Sequence, residues 1–532
     1  MCPMEKEESK LTEEVKKMEE VYNIQPPPRT MYDEKVKENF HIYGIASFLY
    51  ACLYAFCMFR NASGFTYFLF VAGSILFIDF CFKRLEIELK KEGTFYIVGV
   101  FLLSLSTFCT DDGRIIFFNR TGVLLLTISL LLSTLYNTKK WNLGKFLGSI
   151  IQTIFMPLGH VDRPVIDAIW YCKNKLDKKN SKYLYILLGI LIAIPFVVVI
   201  CLLLTSADAV FRDVTTKFFS GLDVGDVFLI IVMVGLMFFA SYSILTFLCK
   251  NSIKEEVKDS RKLNPLLGIP VASIITVVYL VFSVIQIVYL FMGDMQLPEG
   301  YTYAQYAREG FFQLLAVSIL NLIIVLVGLY FFKPNYFLNL VLTLMSLCTF
   351  IMIASSAMRM IIYIQYYYLT FLRILVLWSL LVLFLLFVGV ILYIFKDNFP
   401  LFRYSIIIVT CLYIGLSFSH PDYWIAKVNL EGSKGIRSEF FQGSRYNDYD
   451  FLSELNADAA PAMIEWIEEK GYAFDYYHMS RYDIYQKNLE SYSEENAALY
   501  LSNLKERVGK IGIRNFNFSR YLADNSVRQH IK

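Results

Sequence analysis

Long apolar runs, separated by short polar loops, fill the chain between residues 41 and 419. A helix that crosses a bilayer needs about 20 mostly apolar residues, and each run is compared with this length. The pattern predicts an all-α fold, a polytopic transmembrane helical bundle of about eleven spans. The predicted spans are residues 41–59, 62–82, 94–111, 115–136, 183–205, 225–249, 267–292, 311–332, 337–360, 369–395 and 402–419.

Polar sequence flanks the bundle at both ends. Residues 1–40 form a charged N-terminal tail, in which residues 4–22 have the pattern of a solvated helix, with a coiled coil or a partner contact as the alternative. Residues 420–532 are polar and rich in tyrosine. Within them, an early proline at Pro461 and a stop at Gly471 mark a helix. This region is therefore predicted to be a small, mainly helical C-terminal domain.

One loop inside the bundle is much longer than the others. It covers residues 137–182 and contains the apolar segment 146–158, which is too short to cross a membrane. The segment is predicted to lie along the membrane surface, with a re-entrant hairpin as the alternative.

Lysine and arginine are sorted between alternate loops. The N-terminal tail and the loops at 83–92, 137–182 and 250–266 each carry four or more, whereas the loops between them carry one or two. Basic residues favour the cytoplasmic side of a membrane. The sorting predicts a multi-pass protein of the cell membrane with a cytoplasmic N-terminus. Eleven spans then predict that residues 420–532 are extracytoplasmic.

Composition narrows the classes of function. Hydrophobic residues make up 56% of the 532 residues, as in polytopic membrane proteins, and the net charge of +3 gives no reason to expect a nucleic-acid partner. The lipid bilayer is the expected partner, with an envelope protein or a lipid as further candidates. The sequence has no phosphate-binding, dinucleotide, serine-hydrolase or zinc-protease motif, its five histidines are scattered, and no Cys-x-x-Cys pair occurs. We therefore predict no metal, no cofactor and no catalytic residue.

Charged and tyrosine side chains gather where several predicted spans end on the outer side. An arginine beside the hydrocarbon is costly without a partner or a wet cavity, whereas tyrosine suits the membrane–water boundary. The candidate cluster comprises Asp208, Arg308, Glu309, Arg359, Tyr363, Tyr367 and Arg373. Two interpretations are open. The cluster lines an outward-facing cavity for an anionic headgroup, a peptide or a small ligand, or it forms a network that holds helix ends together.

Few polar residues lie deeper in the predicted spans. Asp79 precedes Lys83 by four residues, which predicts a pair along the helix or a carboxylate that reaches the interface. Asn321 predicts a hydrogen bond between helices, and Gln286 lies in the outer half of its span. No glutamate, lysine or histidine occupies the centre of a predicted span, which weakens the case for a proton-coupled carrier.

Several short motifs lie at the span ends and in the C-terminal region. They are Ser206-Ala207-Asp208, residues 303–312, Arg359-Met360, Tyr367-Tyr368-Leu369-Thr370, Leu372-Arg373, Pro421-Asp422, Trp424-Ile425-Ala426, Asn429, Asp458-Ala459, Pro461 and Asn517-Phe518-Ser519-Arg520. In these motifs the chain resembles an uncharacterised bacterial membrane family, domain of unknown function 4173. The resemblance implies an integral membrane protein without an established activity. Tyr368 occupies a position where that family has glycine, which argues against a tight glycine-dependent turn.

Three functional hypotheses follow. The first is a non-enzymatic sensor, scaffold or regulator at the cell envelope that uses the outer polar cluster and the C-terminal domain. The second is a transporter or lipid-handling protein with an outward-facing polar cavity. The third is a membrane enzyme that acts on a lipid-linked substrate, with Asp208 or Glu309 as the base.

Overall fold

The computed structural model of the protein is built of helices. The described residues are 30–61, 63–138, 141–175, 224–250, 253, 261–288, 310–396, 398–432, 450–472, 474, 492–509, 512 and 514–530, with scattered positions between 189 and 211. Over these residues the only β-type contact is an isolated bridge between Leu263 and Phe332. The predicted all-α class is confirmed.

Seventeen α-helices lie in the described ranges. Helices α1 to α8 are Thr30–Glu38, Phe40–Met58, Phe65–Arg84, Gly93–Cys109, Gly113–Leu135, Leu143–Phe155, Arg163–Asn174 and Val224–Cys249. Helices α9 to α13 are Pro265–Gln286, Phe311–Phe331, Tyr336–Tyr367, Phe371–Phe395 and Leu401–Ser417. Helices α14 to α17 are Pro421–Gly432, Ala460–Lys470, Tyr492–Val508 and Phe518–His530.

Eight of the described helices are long and apolar enough to cross a membrane, namely α2, α3, α5 and α8 to α12. Much of their apolar surface faces outward. Only 17% of the most apolar stretch of α8 and 22% of that of α9 is buried inside the protein. Such large exposed apolar surfaces fit lipid rather than water as the surrounding solvent. The protein is therefore an integral, multi-pass membrane protein.

Three predicted spans are not among the eight. Residues 183–205 lie mostly outside the described residues. Helices α4 and α13 have 17 residues each, which gives about 25 Å at 1.5 Å per residue, less than the roughly 30 Å hydrocarbon core. A ninth candidate arises if α13 is joined to α14, although the two are bent by 58°. Hydropathy measures the apolar run, whereas capping and turn residues decide where each helix ends.

The chain divides into two compact units. The first comprises residues 1–55, 77–87 and 151–254. Its core joins α1, α2, α3 and α8, and it includes Tyr32 and Val36 of the charged helix α1. The charged helix α1 therefore packs into a core, because it carries an apolar stripe beside its charges. The predicted solvated helix at residues 4–22 lies outside the described residues. Nearby, the Tyr242 hydroxyl donates a 3.0 Å hydrogen bond to the buried carboxylate of Asp167.

The apolar segment of the long loop forms α6 and a 3₁₀ turn at Met156–His160. Helix α6 has 13 residues and is about 20 Å long, too short to cross a bilayer. It buries Phe146 and Ile150 but exposes Leu147 and Ile151. An exposed apolar helix face suits a position along the membrane surface, and that position stays a prediction.

The second unit comprises residues 56–76, 88–150 and 255–532. Three apolar clusters hold its membrane helices together. The first contains residues of α4, α5 and the first part of α3. The second contains residues of α9, α10, α11 and α12. The third contains residues of α10, α11 and α12 around Met360 and Phe387. These clusters position the helix ends that carry the polar groups described below.

A fourth apolar core of this unit lies in its C-terminal part. Buried residues of α14 to α17 form it, and Trp466 and Tyr500 are among its largest members. Leu369, Phe371 and Ile374, at the start of α12, pack against the same core. The C-terminal helices therefore complete their apolar core on the end of a membrane helix.

Candidate functional site

The outer cluster predicted from the sequence is only partly described. Arg308 and Glu309 lie outside the described residues, as does the side chain of Tyr367. The cluster as a whole stays a prediction. Three further members lie together in the second unit and are described with their contacts: Arg359, Tyr363 and Arg373.

Asp208 belongs to the first unit. Its exposed carboxylate accepts hydrogen bonds from the backbone N–H groups of Val210 at 2.6 Å and Phe211 at 2.9 Å. Aspartate commonly stabilises a turn in this way, by accepting from backbone donors two and three residues on. The described contacts of Asp208 are thus local.

Arg359 is buried near the end of α11, with 8% of its surface exposed. Its Nη2 lies 3.4 Å from Gln286 Oε1 at the end of α9, and the same oxygen accepts a 2.6 Å hydrogen bond from Ser355 Oγ. Gly310, just before α10, has φ +103°, and a Cβ there would lie 2.8 Å from Arg359 Nη1. The arginine therefore fills the space next to this glycine and brings together residues from α9, α11 and the start of α10.

A tight turn joins α11 to α12. Its central residue, Tyr368, has φ 72° and ψ 165°, a backbone region used almost only by glycine. Arg373 Nη1 donates to the Tyr368 carbonyl, and the Arg373 guanidinium lies 4.3 Å from the ring centre of Tyr363. Asn429 of α14 pairs with both the N–H and the carbonyl of Leu369, at 2.7 and 2.8 Å. Contrary to the expectation from the sequence, the tight turn forms with tyrosine in place of glycine.

Replacing Tyr368 by glycine is expected to stabilise the protein by about 1 kcal/mol. The change removes backbone strain of about 1–3 kcal/mol. The greater backbone freedom of glycine in the unfolded chain offsets about 0.5–1 kcal/mol of that gain. Thermal unfolding of the full-length protein in detergent measures the difference. Tyr368→Ala is the matched control, because it loses the same ring but keeps the strained Cβ. An alanine variant as stable as the glycine variant would contradict the explanation.

Two further polar residues predicted from the sequence have partners on helices. Asp79 Oδ2 lies 2.8 Å from Lys83 Nζ, one turn further along α3. Asn321 is fully buried on α10 and donates from Nδ2 to Thr349 Oγ1 of α11 at 3.0 Å. The first contact neutralises a carboxylate in an apolar helix, and the second links two helices inside the bundle.

A dense polar group lies where the turn between α4 and α5 meets the C-terminal helices. It contains four aspartates, three arginines and one histidine. Its members are Asp111, Asp112, Asp422, Asp458, Arg114, Arg507, Arg520 and His420, here called the aspartate network. Each aspartate is at most 5% exposed. Buried carboxylates are costly by several kcal/mol each unless they are paired and hydrogen-bonded, so their partners decide whether this arrangement is stable.

Arg114 connects the start of α5 to two other helices. Its Nε and Nη2 contact both oxygens of Asp112 at 2.9 and 2.7 Å, and Nη2 also lies 2.5 Å from Asp422 Oδ1 on α14. The guanidinium lies 4.0 Å from the ring centre of Phe371 at the start of α12. Asp112 also caps α5 by accepting from the Arg114 backbone N–H at 2.8 Å. One arginine thus links α5, α12 and α14.

Asp111 binds two arginines of the C-terminal helices. Its Oδ1 lies 2.6 Å from Arg520 Nε on α17, and its Oδ2 lies 3.2 Å from Arg507 Nη1 on α16. The carboxylate also receives the backbone N–H of Ala457 at 3.4 Å. A single side chain of the α4–α5 turn therefore holds two C-terminal helices.

Asp458 is the most enclosed member, with a side chain that is 0% exposed. Its carboxylate contacts Thr110 Oγ1 at 2.5 Å, the Asp111 N–H at 2.9 Å, the Ser519 hydroxyl, and His420 Nδ1 at 3.5 Å. Burial acts to raise its pKa, but hydrogen bonds from His420, Ser519 and Thr110 hold the pKa below that of an ordinary aspartate. The hydrogen bond to Asp458 in turn raises the pKa of His420, against the effect of burial. Three arginines and His420 therefore face the four buried carboxylates.

The segment before α17 packs closely against the turn between α2 and α3. The carbonyl of Arg514 accepts from Asn61 Nδ2 at 3.2 Å and from Thr66 Oγ1 at 2.9 Å. A Cβ on Gly64 would lie only 2.4 Å from Arg514 O and from Asn515 Cα. Two backbones therefore meet here at a distance that only glycine permits.

The next two residues of that segment continue the attachment. The Phe516 carbonyl accepts from the Phe65 N–H at 2.9 Å. Asn517 Nδ2 donates to the Thr110 carbonyl at 2.8 Å and lies 3.3 Å from the carbonyl of Ser63. The C-terminal segment is therefore bound to both turns, α2–α3 and α4–α5.

Sequence reasoning did not find the aspartate network. It named Asp422, Asp458 and Arg520 only as parts of separate short motifs and did not bring them together. A signal was present in Asp111 and Asp112, two adjacent carboxylates where an apolar helix begins. Arg507 gave none, because its partner Asp111 is 396 residues away.

Comparison with known proteins identifies a family but no activity. No curated protein and no solved structure matches the chain. A family model described as a domain of unknown function, DUF4153, matches residues 97–466, well over half of the chain. The narrower resemblance to domain of unknown function 4173 is not confirmed. The chain is thus an integral membrane protein that belongs to the DUF4153 family.

Proposed function

We propose that the protein is a non-enzymatic scaffold or regulator of the cell envelope, which presents its C-terminal helical domain at the membrane surface. The aspartate network supports this proposal most directly. A catalytic carboxylate needs hydrogen-bonding reach to a substrate, whereas these four carboxylates are buried and accept from donors of their own chain. Their chemistry joins the C-terminal helices to membrane helix ends.

The contacts of the described outer residues favour the same interpretation. Arg359 is enclosed against Gln286 and Gly310, and Arg373 binds the carbonyl of Tyr368 and stacks on Tyr363. These contacts connect helix ends and support the network interpretation over that of an open ligand cavity. No described contact gives the transporter or the enzyme hypothesis comparable support.

The proposal includes an orientation and a division of the chain. Residues 1–40 are cytoplasmic, residues 41–419 form the membrane bundle, and residues 420–532 form an extracytoplasmic domain. The sorting of lysine and arginine between loops supports this orientation. The proposed partners are the bilayer and an envelope protein or lipid, and no nucleic acid is expected.

Photo-crosslinking from Glu465 tests the scaffold role in intact cells. Glu465 is exposed on α15, so a photoreactive amino acid placed there can react with a partner bound at this face of the domain. We expect a discrete protein adduct that disappears in the Asp458→Asn variant, because that change loosens the domain. The Glu468→Gln variant, altered at an exposed pair with His530, is expected to keep the adduct.

Two outcomes would overturn the proposal. The first is a crosslinking result, obtained at equal membrane abundance of all variants: either no protein adduct forms, or the adduct is unaffected by Asp458→Asn. The other is uptake or turnover of a small molecule by the purified protein that is lost in Arg359→Lys at unchanged stability. That second result would replace the scaffold with the transporter or enzyme hypothesis.

A further inference from the structure

A cavity of about 580 Å³ lies at the end of α2, beside the segment that precedes α17. Its lining consists of Phe56, Arg60, Asn61, Gly512, Arg514 and Asn515. All of these residues belong to the second unit, and none of them takes part in the aspartate network. The cavity therefore is a separate feature with its own chemistry.

The surface that lines this cavity is mostly apolar, and its charged residues are two arginines. It contains two arginines and two asparagines, and the lining residues that the structure describes include no carboxylate. The Arg514 guanidinium donates to the Phe59 carbonyl and lies 5.8 Å from the ring centre of Phe56. The Arg60 guanidinium lies 5.6 Å from the ring centre of Phe59. Guanidinium groups match the oxygens of a phosphate in geometry and charge, so the cavity favours a phosphate-like anion.

The apolar wall of the cavity includes a residue from the end of a candidate membrane helix. Phe56 belongs to α2, one of the eight candidate membrane helices, and its side chain is 58% exposed. A ligand with an anionic head and an apolar chain can therefore place its head between the arginines and its chain against Phe56. A free phosphate ion would use only the first of these two surfaces.

A row of aromatic rings lies beside the segment that precedes α17. Phe65, at the start of α3, is 41% exposed, and its ring lies 5.7 Å from that of Phe108. The Phe108 ring lies 5.9 Å from that of Phe516, which in turn lies 5.6 Å from that of the exposed Tyr521 on α17. Tyrosine is enriched at the membrane–water boundary, where lipid headgroups lie, and the exposed Tyr521 at the end of this row fits that depth.

We propose that this cavity binds the phosphate-bearing headgroup of an anionic phospholipid, with Arg60 and Arg514 on the phosphate and Phe56 along the acyl chain. The lipid then bridges the end of α2 and the segment before α17. This site is independent of the scaffold function proposed above, because it uses none of the residues of the aspartate network.

The test uses the full-length protein, purified in a neutral detergent and stripped of lipid. Native mass spectrometry measures the binding of dioctanoyl phosphatidylglycerol, dioctanoyl phosphatidylcholine and inorganic phosphate. We expect phosphatidylglycerol to bind one to one and at least about tenfold more tightly than either of the others, since loss of one charge-assisted contact costs about this factor. Equal binding of the zwitterionic lipid would exclude an anion site, and equal binding of inorganic phosphate would exclude a lipid site.

Substitutions of single arginines test whether phosphatidylglycerol binds in this cavity. Arg60→Gln is expected to weaken phosphatidylglycerol binding about tenfold. Arg84→Gln is the matched control, since Arg84 is also exposed, lies at the other end of α3 and stacks on Phe80 at 5.9 Å. Unchanged binding in Arg60→Gln, or an equal loss in Arg84→Gln, would overturn the proposal.

A second variant keeps the test valid if Arg60→Gln does not fold. Asn515→Asp introduces a negative charge with little change of shape. Its carboxylate still accepts the 2.6 Å hydrogen bond from the Gly512 N–H. We expect about tenfold weaker binding of phosphatidylglycerol at an unchanged melting temperature of the lipid-free protein. Unaltered affinity in this variant would likewise reject the cavity as the site.

Discussion

Asp458→Asn is expected to lower the free energy of local unfolding of the C-terminal helices by about 3–5 kcal/mol. Asparagine is close to aspartate in size, so the change removes charge without leaving a cavity. The asparagine Oδ1 still accepts from the Asp111 N–H and the Ser519 hydroxyl, but its Nδ2 cannot accept from the Thr110 hydroxyl or from His420, both of which contact Asp458 Oδ2. Hydrogen exchange of α15 and α17 in the full-length protein measures the loss as reduced protection.

Glu468→Gln provides the control for that experiment. Glu468 also pairs with a histidine, His530 at 2.8 Å, but both side chains are more than 40% exposed. Exposed ion pairs contribute about 0–1 kcal/mol, so protection of α15 and α17 is expected to stay close to that of the unaltered protein. If the two variants behave alike, the burial of the aspartate network does not determine the stability of this region.

Gly64→Ala is expected to detach the segment before α17 from the α2–α3 turn. The added Cβ would lie 2.4 Å from two backbone atoms, Arg514 O and Asn515 Cα, and backbone cannot yield as a flexible side chain does. Forced separation also breaks the hydrogen bond from the Phe65 N–H to the Phe516 carbonyl. Overpacking of this kind costs about 1–3 kcal/mol or more. Faster hydrogen exchange throughout α17 is the expected result.

Gly415→Ala is the matched control for this substitution. Gly415 lies inside α13, and no atom lies within 4 Å of the Cβ that alanine would add. Alanine is favoured over glycine inside a helix by about 0.5–1 kcal/mol, so this variant is expected to be as stable as the original or slightly more stable. Unchanged exchange of α17 in Gly64→Ala would contradict the close backbone contact.

The spans that could be predicted best are those with the longest uninterrupted apolar runs in the sequence. Spans such as α8 and α12 are continuous apolar runs, and a bilayer imposes their length whatever their neighbours are. Helices α4 and α13 were less predictable, because their 17-residue length depends on where local caps end them. The contact between Asp79 and Lys83 could be predicted from the sequence because the two residues are one helical turn apart.

The polar sites were predictable only where partners are close in sequence. The turn at Tyr368 could not be foreseen, because contacts from Arg373 and Asn429 support a backbone conformation that tyrosine alone avoids. Arg359 was singled out as a residue that needs a partner, but Gln286 could not be chosen from the many polar groups available.

The sequence by itself determined that this is an all-α membrane protein, because apolar length and helical periodicity are local properties that need no knowledge of contacts. The tertiary structure alone decided which charges meet. Asp111 is joined to Arg507 and Arg520 across about 400 residues of chain, and Arg60 lies with Arg514 in one cavity. Electrostatic and hydrogen-bonding energies depend on distances of a few ångströms and on burial, and neither quantity is encoded by spacing along the chain.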